Sequence, residues 1–164
     1  MNTLWTIILA LSGLVAAIGA LFMAGIRYKW PVVLNGVRRI NRRFMNPRQM
    51  RSAGTPGAYA GIIHHVGRRS GREYQTPVGI VPADGGVAIV LPYGTRPDWV
   101  KNVMAAGKAE ITHEGRRFPV TDPQVVPVES SGAAFTTADR RTQRLYGVDR
   151  CLRLRTAAVS AQQH

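Results

Sequence analysis

Residues 59–91 read YAGIIHHV GRRSGREY QTPVGIV PADGG VAIVL, and this stretch decides the fold. Three short apolar runs, 59–66, 75–81 and 87–91, are rich in β-branched residues and too short for helices. Asp84-Gly85-Gly86 between the last two is a tight hairpin signal. Downstream, 97–106 (PDWVKNVMAA) predicts a short helix, with Pro and Asp in its first turn and Gly107 to close it. Runs 108–113 and 116–121 predict a second hairpin about Glu114-Gly115. A strand over 124–128, a helix over 131–145 ending at Gly147 and a last alternating strand over 151–156 (CLRLRT) follow. About six short antiparallel strands with a few short helices predict a mainly β (α+β) fold, a small barrel. Little anchors 158–164, which reads as a flexible tail.

Upstream of the strands the chain changes character. Residues 4–26 hold no charge and no proline. As a helix they span about 34 Å, which matches a bilayer core of about 30 Å. Gly13, Ala16, Ala17, Gly19 and Ala20 are small, and Trp5, Tyr28 and Trp30 flank the run as interface aromatics do. The run therefore reads as a transmembrane helix. A cleaved signal peptide is opposed by the absence of Lys or Arg before it and by a poor cleavage pattern near Phe22-Met23-Ala24. A buried core helix is opposed by its length and all-round hydrophobicity.

Basic residues follow at once: Arg27, Lys29, Arg38, Arg39, Arg42, Arg43, Arg48 and Arg51. The positive-inside rule then puts everything after Ile26 in the cytoplasm. Val33, Val37, Ile40 and Phe44 recur at near-helical spacing, so 32–45 predicts a basic amphipathic helix stopped by Pro47. It would lie against anionic lipid or present a solvated face. The expected organisation is an anchor over 1–30, a juxtamembrane helix and linker over 31–57, a barrel domain over 58–157 and the tail.

With 164 residues, 45% of them hydrophobic, the chain is long enough for one domain with a real core. Its net charge of +13 is uneven. Residues 1–72 hold eleven Lys/Arg and no acid, whereas 73–164 hold eleven Lys/Arg against nine Asp/Glu. That asymmetry, and the lack of basic strands interleaved with aromatics, argue against a nucleic-acid partner. The single cysteine, Cys151, has no disulfide partner, and no Cys/His set has metal-ligand spacing. Cys151 reads as a small packing residue near a strand start.

The turn Gly67-Arg68-Arg69-Ser70-Gly71-Arg72 is the first candidate site. Its glycines let the backbone aim N–H groups at one point, its arginines are planar donors suited to phosphate oxygens, and Ser70 adds a hydroxyl. A solvated hairpin turn has the same composition, and the residues alone leave both readings open. Neither a Walker loop nor a Rossmann fingerprint is present. His64 and His65 are adjacent, so on a strand they face opposite sides and cannot easily share a metal. Trp99, beside Val100 and Val103, has a core reading as well as a site reading. Tyr93 has a packing reading beside its pocket reading, and Tyr146 reads as helix-end packing.

The combination G-R-R-S-G-x-x-x-x-T-P, then Tyr93-Gly94, then D-W-x-x-N at 98–102 resembles the deazaflavin-dependent nitroreductase family, whose members bind coenzyme F-420. The likeness runs from about 59 to 121. Weaker echoes occur in NRRFMNP upstream and GVDRCLRLR downstream. It implies a split β-barrel of the flavin-reductase type and an 8-hydroxy-5-deazaflavin cofactor, with flavin mononucleotide the second choice. It implies that Arg68, Arg69, Ser70 and Gly71 hold the phosphate. Thr76 and Pro77 would line the ring, with Tyr93 and Gly94 beside the cofactor and Trp99 and Asn102 on the helix that walls the pocket. The sequence departs from the family pattern at Tyr74 and Gln75, where many relatives place another Arg; Arg72 stands in reach as a substitute. Gly79 lacks the aromatic of the nitro-drug-reducing members.

The expected function is hydride transfer from reduced coenzyme F-420 to a lipophilic acceptor such as a quinone, with Tyr93, a histidine or water as the proton source. The alternative is a non-catalytic, membrane-associated binder of a deazaflavin, flavin or fatty acid. The oligomeric state is left open.

Overall fold

In the computed structural model, which describes residues 2–156, the apolar runs become six strands. They are β1 (Ala60–Val66), β2 (Glu73–Ala83), β3 (Gly86–Val90), β4 (Lys108–His113), β5 (Arg116–Pro127) and β6 (Arg150–Thr156). All pairings are antiparallel, and the strands close into a barrel in the order β1-β2-β3-β6-β5-β4. Closure removes the open edges that a six-stranded sheet would expose. Alternation aims Ile63, Ile80, Ile89, Ile111, Val120, Leu152 and Leu154 inward, where they form one core. The predicted tail over 158–164 lies outside the described residues.

Antiparallel register fixes what sits at each end of the barrel. β1 and β3 finish, and β2, β4 and β6 begin, at one end. The turn 67–72 and helix α4 (Asp98–Ala106) lie there. Helix α4 buries Val100 and Val103 in the core and stops at Gly107, whose φ of 67° is left-handed. At the opposite end, the β4–β5 turn meets the segment that leads into β1: the Gly115 N–H donates to Gly54 O at 2.7 Å.

Three sequence expectations change. The strands expected over 116–121 and 124–128 are one strand, β5, with a register shift between Thr121 and Gln124. Pro123 lacks a donor and Asp122 takes φ 53°, so the ladder breaks there and resumes on the same partner, β6. The helix expected over 131–145 begins only at Thr137 (α5, Thr137–Tyr146). Gly132 at φ 67° cannot continue a right-handed helix, and the true start is a capping box in which Thr136 and Asp139 exchange hydrogen bonds. Pro47 does not end the upstream helix. Helix α2 (Pro31–Ile40) widens into a π turn (Asn41–Met45), where the Asn46 N–H reaches Asn41 O, five residues back. The wider turn accommodates the proline ring at the first turn of α3 (Asn46–Gln49).

The apolar run forms α1 (Asn2–Arg27). Thr3–Arg27 is long and apolar enough to cross a membrane, and its most apolar window is unburied. Only its last turn packs on the protein: Gly25 lies against Val33, and Ile26 is buried. Just beyond, Lys29 Nζ meets Asp149 Oδ1 at 2.8 Å, one residue before β6. Helix α1 therefore leaves the protein at the barrel end that carries α4. Cys151 is buried on β6, and burial raises its thiol pKa.

Candidate functional site

The β1–β2 turn is tied from within. The Gly67 N–H donates to Arg72 O and the Gly71 N–H to Gly67 O, both at 2.8 Å. Gly71 takes φ 65°, and any Cβ at Gly67 would strike the Ser70 hydroxyl and the Tyr74 ring. These bonds leave the amides of Arg69 and Ser70 without an acceptor among the described residues. The side chains of Arg69 and Arg72 are exposed and likewise have no partner there. Two amides and two guanidinium groups on one tight turn are thus left as donors of the kind an oxyanion accepts from. Tyr74 braces the turn by stacking on His65, with ring centroids 5.8 Å apart, and by a 3.2 Å hydrogen bond with Ser70 Oγ.

Arg68 is engaged differently. Its guanidinium donates to Asp98 Oδ1 from both Nη atoms at 3.2 Å and to Asn102 Oδ1 at 2.8 Å. Its backbone N–H also reaches Asn102 Oδ1, at 3.2 Å. Arg68 thus fastens the turn to α4. Behind it, buried Asn102 meets His65 Nδ1 at 3.2 Å, and His65 Nε2 meets Thr76 Oγ1 at 3.2 Å. Burial first, then neighbouring His64, lowers the pKa of His65, which keeps the ring neutral at pH 7. His64 faces the other way, to Thr112 Oγ1 at 2.8 Å, and its pKa is lowered by burial and then by Arg117.

Tyr93 and Gly94 follow β3 at the same end of the barrel. Asn41, the first residue of the π turn, donates from Nδ2 to the Tyr93 phenol oxygen at 2.6 Å. Arg38 Nη2 donates to Tyr93 O at 3.2 Å, while Arg38 Nε is buried without a partner. Burial raises the pKa of Tyr93 against the opposing pull of the Asn41 bond. The phenol therefore stays protonated, and because Asn41 already donates to its oxygen, its own hydrogen is free to be given. Gly94 takes φ 66° with open space where a Cβ would stand.

Of the residues singled out in the sequence, Arg68, Thr76 and Asn102 join one hydrogen-bonded network. Arg69, Ser70 and Gly71 form the turn beside it. Pro77 is buried opposite Ile62, and Trp99 packs against the core rather than on the network. No hydrogen bond links Tyr93 to that network among the described residues. Tyr74, Arg38 and Asn41 were not foreseen as site residues, and which of His64 and His65 faces the site was left open. For His65 a signal existed: it lies two residues from inward-facing Ile63, so alternation also turns it inward. No group of acidic, His or Cys residues among those described could hold a metal ion. A separate concavity of about 350 Å³, lined in part by Ser52, Pro56 and Tyr59, touches none of the network residues.

The model of the F420H(2)-dependent quinone reductases matches residues 38–151. The chain belongs to this family. The match starts at Arg38, so it takes in the Tyr93 contacts, the turn, the network and the first two residues of β6, and it leaves out α1 and the rest of β6. The family is a coenzyme F-420 oxidoreductase family, as the resemblance implied, although it carries the quinone reductase name rather than the nitroreductase one. No curated protein matches the chain. Among solved structures, an F420-H2 dependent reductase is 15% identical over 57% of this chain and 91% of its own, with a TM-score of 0.37. A domain-swapped dimer is 14% identical over 72% and 96%, with a TM-score of 0.35. A third is 14% identical, with a TM-score of 0.33; this chain covers only 64% of it. Likenesses this distant bear on neither site nor activity.

Proposed function

We propose that this protein is a membrane-anchored reductase that uses reduced coenzyme F-420 to reduce a lipophilic acceptor, a quinone by preference. The family supports the cofactor class and the reaction type. One observation carries the rest: the free amides of Arg69 and Ser70 and the free guanidinium groups of Arg69 and Arg72 lie at the barrel end from which α1 departs. A site there opens beside the bilayer, where a quinone is concentrated. In this reading residues 1–30 are the anchor, residues 31–57 lie along anionic head groups and the barrel is cytoplasmic.

The residues present fit the cofactor. Its anionic tail needs donors, and the turn offers two free amides and two free guanidinium groups. Asp98, the acid nearest them on α4, is neutralised by Arg68. The bound deazaflavin supplies the hydride. Arg69, Ser70, Gly71 and Arg72 would hold its phosphate, while Thr76 and Gly94 would border its ring; Pro77, the next residue on β2, turns its side chain to the opposite face. Arg68 and Asn102 keep the turn against α4, and Trp99 keeps α4 against the barrel. Tyr93, protonated and hydrogen-bonded by Asn41, offers a proton at the site's edge.

The test uses the full chain in lipid nanodiscs. Coenzyme F-420 is titrated in, and reoxidation of its reduced form is then followed by absorbance with a membrane quinone, with a water-soluble quinone and with neither. Binding with quinone-dependent reoxidation supports the reading. Binding without turnover leaves the non-catalytic binder, and no binding removes both.

A further inference from the structure

We infer that His65 is a positioning residue that fixes the hydroxyl of Thr76 as a hydrogen-bond donor toward the bound ligand. This rests on the reductase reading for the identity of the ligand, but its core is a matter of proton placement in the protein itself.

Two donors of Arg68, its backbone N–H and its Nη1, converge on one atom of the Asn102 side chain at 3.2 and 2.8 Å. An amide nitrogen cannot accept, so that atom is the oxygen. The other end of the Asn102 amide, the NH2 group, then faces His65 Nδ1 and donates to it. A neutral imidazole carries one proton, so an accepting Nδ1 leaves it on Nε2. Nε2 lies 3.2 Å from Thr76 Oγ1 and donates to it. The Thr76 hydrogen must therefore point elsewhere. No second partner for Thr76 Oγ1 exists among the described residues. Thr76 is half-buried, which leaves its hydrogen a path to the open end of the barrel.

The charged groups around the ring do not disturb this order. Arg68 reaches it only through Asn102, and Asp98 is spent on Arg68. His64, the titratable neighbour on the same strand, points to the opposite face. The surface pair Asp98–Arg68 thus sets the direction of every hydrogen bond down to Thr76. The consequence is a rule about the ligand: its group at Thr76 presents an acceptor, a carbonyl oxygen or an unprotonated ring nitrogen. With the other tautomer, Thr76 would donate to His65 and favour an N–H there instead.

Two readouts test this. The first needs no cofactor: long-range proton–nitrogen correlation of histidine-labelled full chain in nanodiscs at pH 7.5. A protonated Nε2 and bare Nδ1 are expected for His65, and a protonated Nδ1 overturns the proposal. The second is coenzyme F-420 affinity in a double-mutant cycle. Thr76→Val and His65→Phe should each weaken binding roughly five- to tenfold. The double variant should bind no worse than Thr76→Val, because His65 acts only through that hydroxyl. His65→Gln, whose amide can occupy the Nε2 position, should restore affinity to within about twofold. Multiplying losses, or wild-type affinity in His65→Phe, would refute the role. If His65→Phe does not fold, His65→Gln and Thr76→Val decide instead: Thr76→Val at wild-type affinity refutes it. If the wild type binds no coenzyme F-420, the reductase reading fails, and the tautomer still decides the proton order.

Discussion

Two turns of the barrel carry glycine and arginine in similar measure. One, 67–72, joins β1 to β2; the other, 113–117 (His-Glu-Gly-Arg-Arg), joins β4 to β5. The second turn is largely satisfied: among the described residues only the Arg116 guanidinium and the buried His113 Nδ1 have no partner. Glu114 and Gly115 both take positive φ, as a tight hairpin turn requires. The Gly115 N–H donates to Gly54 O, the Glu114 carboxylate accepts from the Gly57 N–H, and Arg117 pairs with Glu110. The first turn instead spends one arginine on α4 and keeps two others, with two amides, unspent. Composition does not separate a turn whose donors are spent from one with donors to spare. What separates them is which donors remain after the neighbours have been satisfied.

Stripping the arginines from each turn should give the largest difference between them. Replacing Arg69 and Arg72 together by Ala should weaken coenzyme F-420 binding by at least about a hundredfold, since each charge-assisted contact is worth about 1.5–3 kcal/mol. Replacing Arg116 and Arg117 by Ala should change it less than about twofold. Isothermal titration of the two double variants checks both at once. Equal losses would mean that bulk positive charge, not the first turn, holds the ligand, and the affinity would then fall steeply with salt in both.

Asn102 is the next lever, because it is where the first turn is attached. Asn102→Ala removes the acceptor of two Arg68 donors and the donor to buried His65. We expect a loss of about 2–3 kcal/mol in denaturant unfolding. On the second turn the comparable change is Gly115→Ala. Gly115 has φ 72°, where a Cβ is strained, so about 1 kcal/mol is expected, with coenzyme affinity unchanged. If Gly115→Ala reduced affinity as well, the two ends of the barrel would be coupled and the division between them would fall.

Much of the fold is legible in the sequence. Alternation and β-branching placed five of the six strands and both halves of the sixth, β5, and Gly107 and Gly147 marked where α4 and α5 end. The expectations that failed did so where one residue permits two outcomes. Pro123 ends a ladder or sits in a bulge, and Pro47 ends a helix or follows a π turn. Local sequence does not say which, since pairing with β6 decides the first and the widened turn beside Tyr93 the second. The network was hidden for a different reason. Arg68 and Asn102 stand 34 positions apart, as do no residues a local pattern would join. Adjacent histidines announce only that they face opposite ways. Phase with Ile63 selects His65 as the inward one, but nothing in the sequence says that Asn102 will meet it. Tyr93 was visible as a strand-end aromatic, while its partner Asn41 lies 52 positions upstream.

The two histidines give the finest test, because each belongs to one side of the comparison. His65 serves the first turn through Asn102, and His64 feels Arg117 of the second. Both have pKa values lowered from the ordinary 6.5, in each case chiefly by burial. The unfolded chain therefore binds protons more readily than the folded one as pH falls below about 6.5. Stability is fully present above that value and declines as the pH drops through the window down to the folded pKa values. The slope cannot exceed about 1.4 kcal/mol per pH unit for each histidine. Thermal melts of the wild type between pH 7.5 and 5 should show this decline. His65→Gln should remove one share of it and His64→Gln the other. A decline that survives in both single variants and in the double would assign it to groups outside β1. A decline lost entirely with His65 would mean that the first turn alone sets the acid sensitivity of the fold.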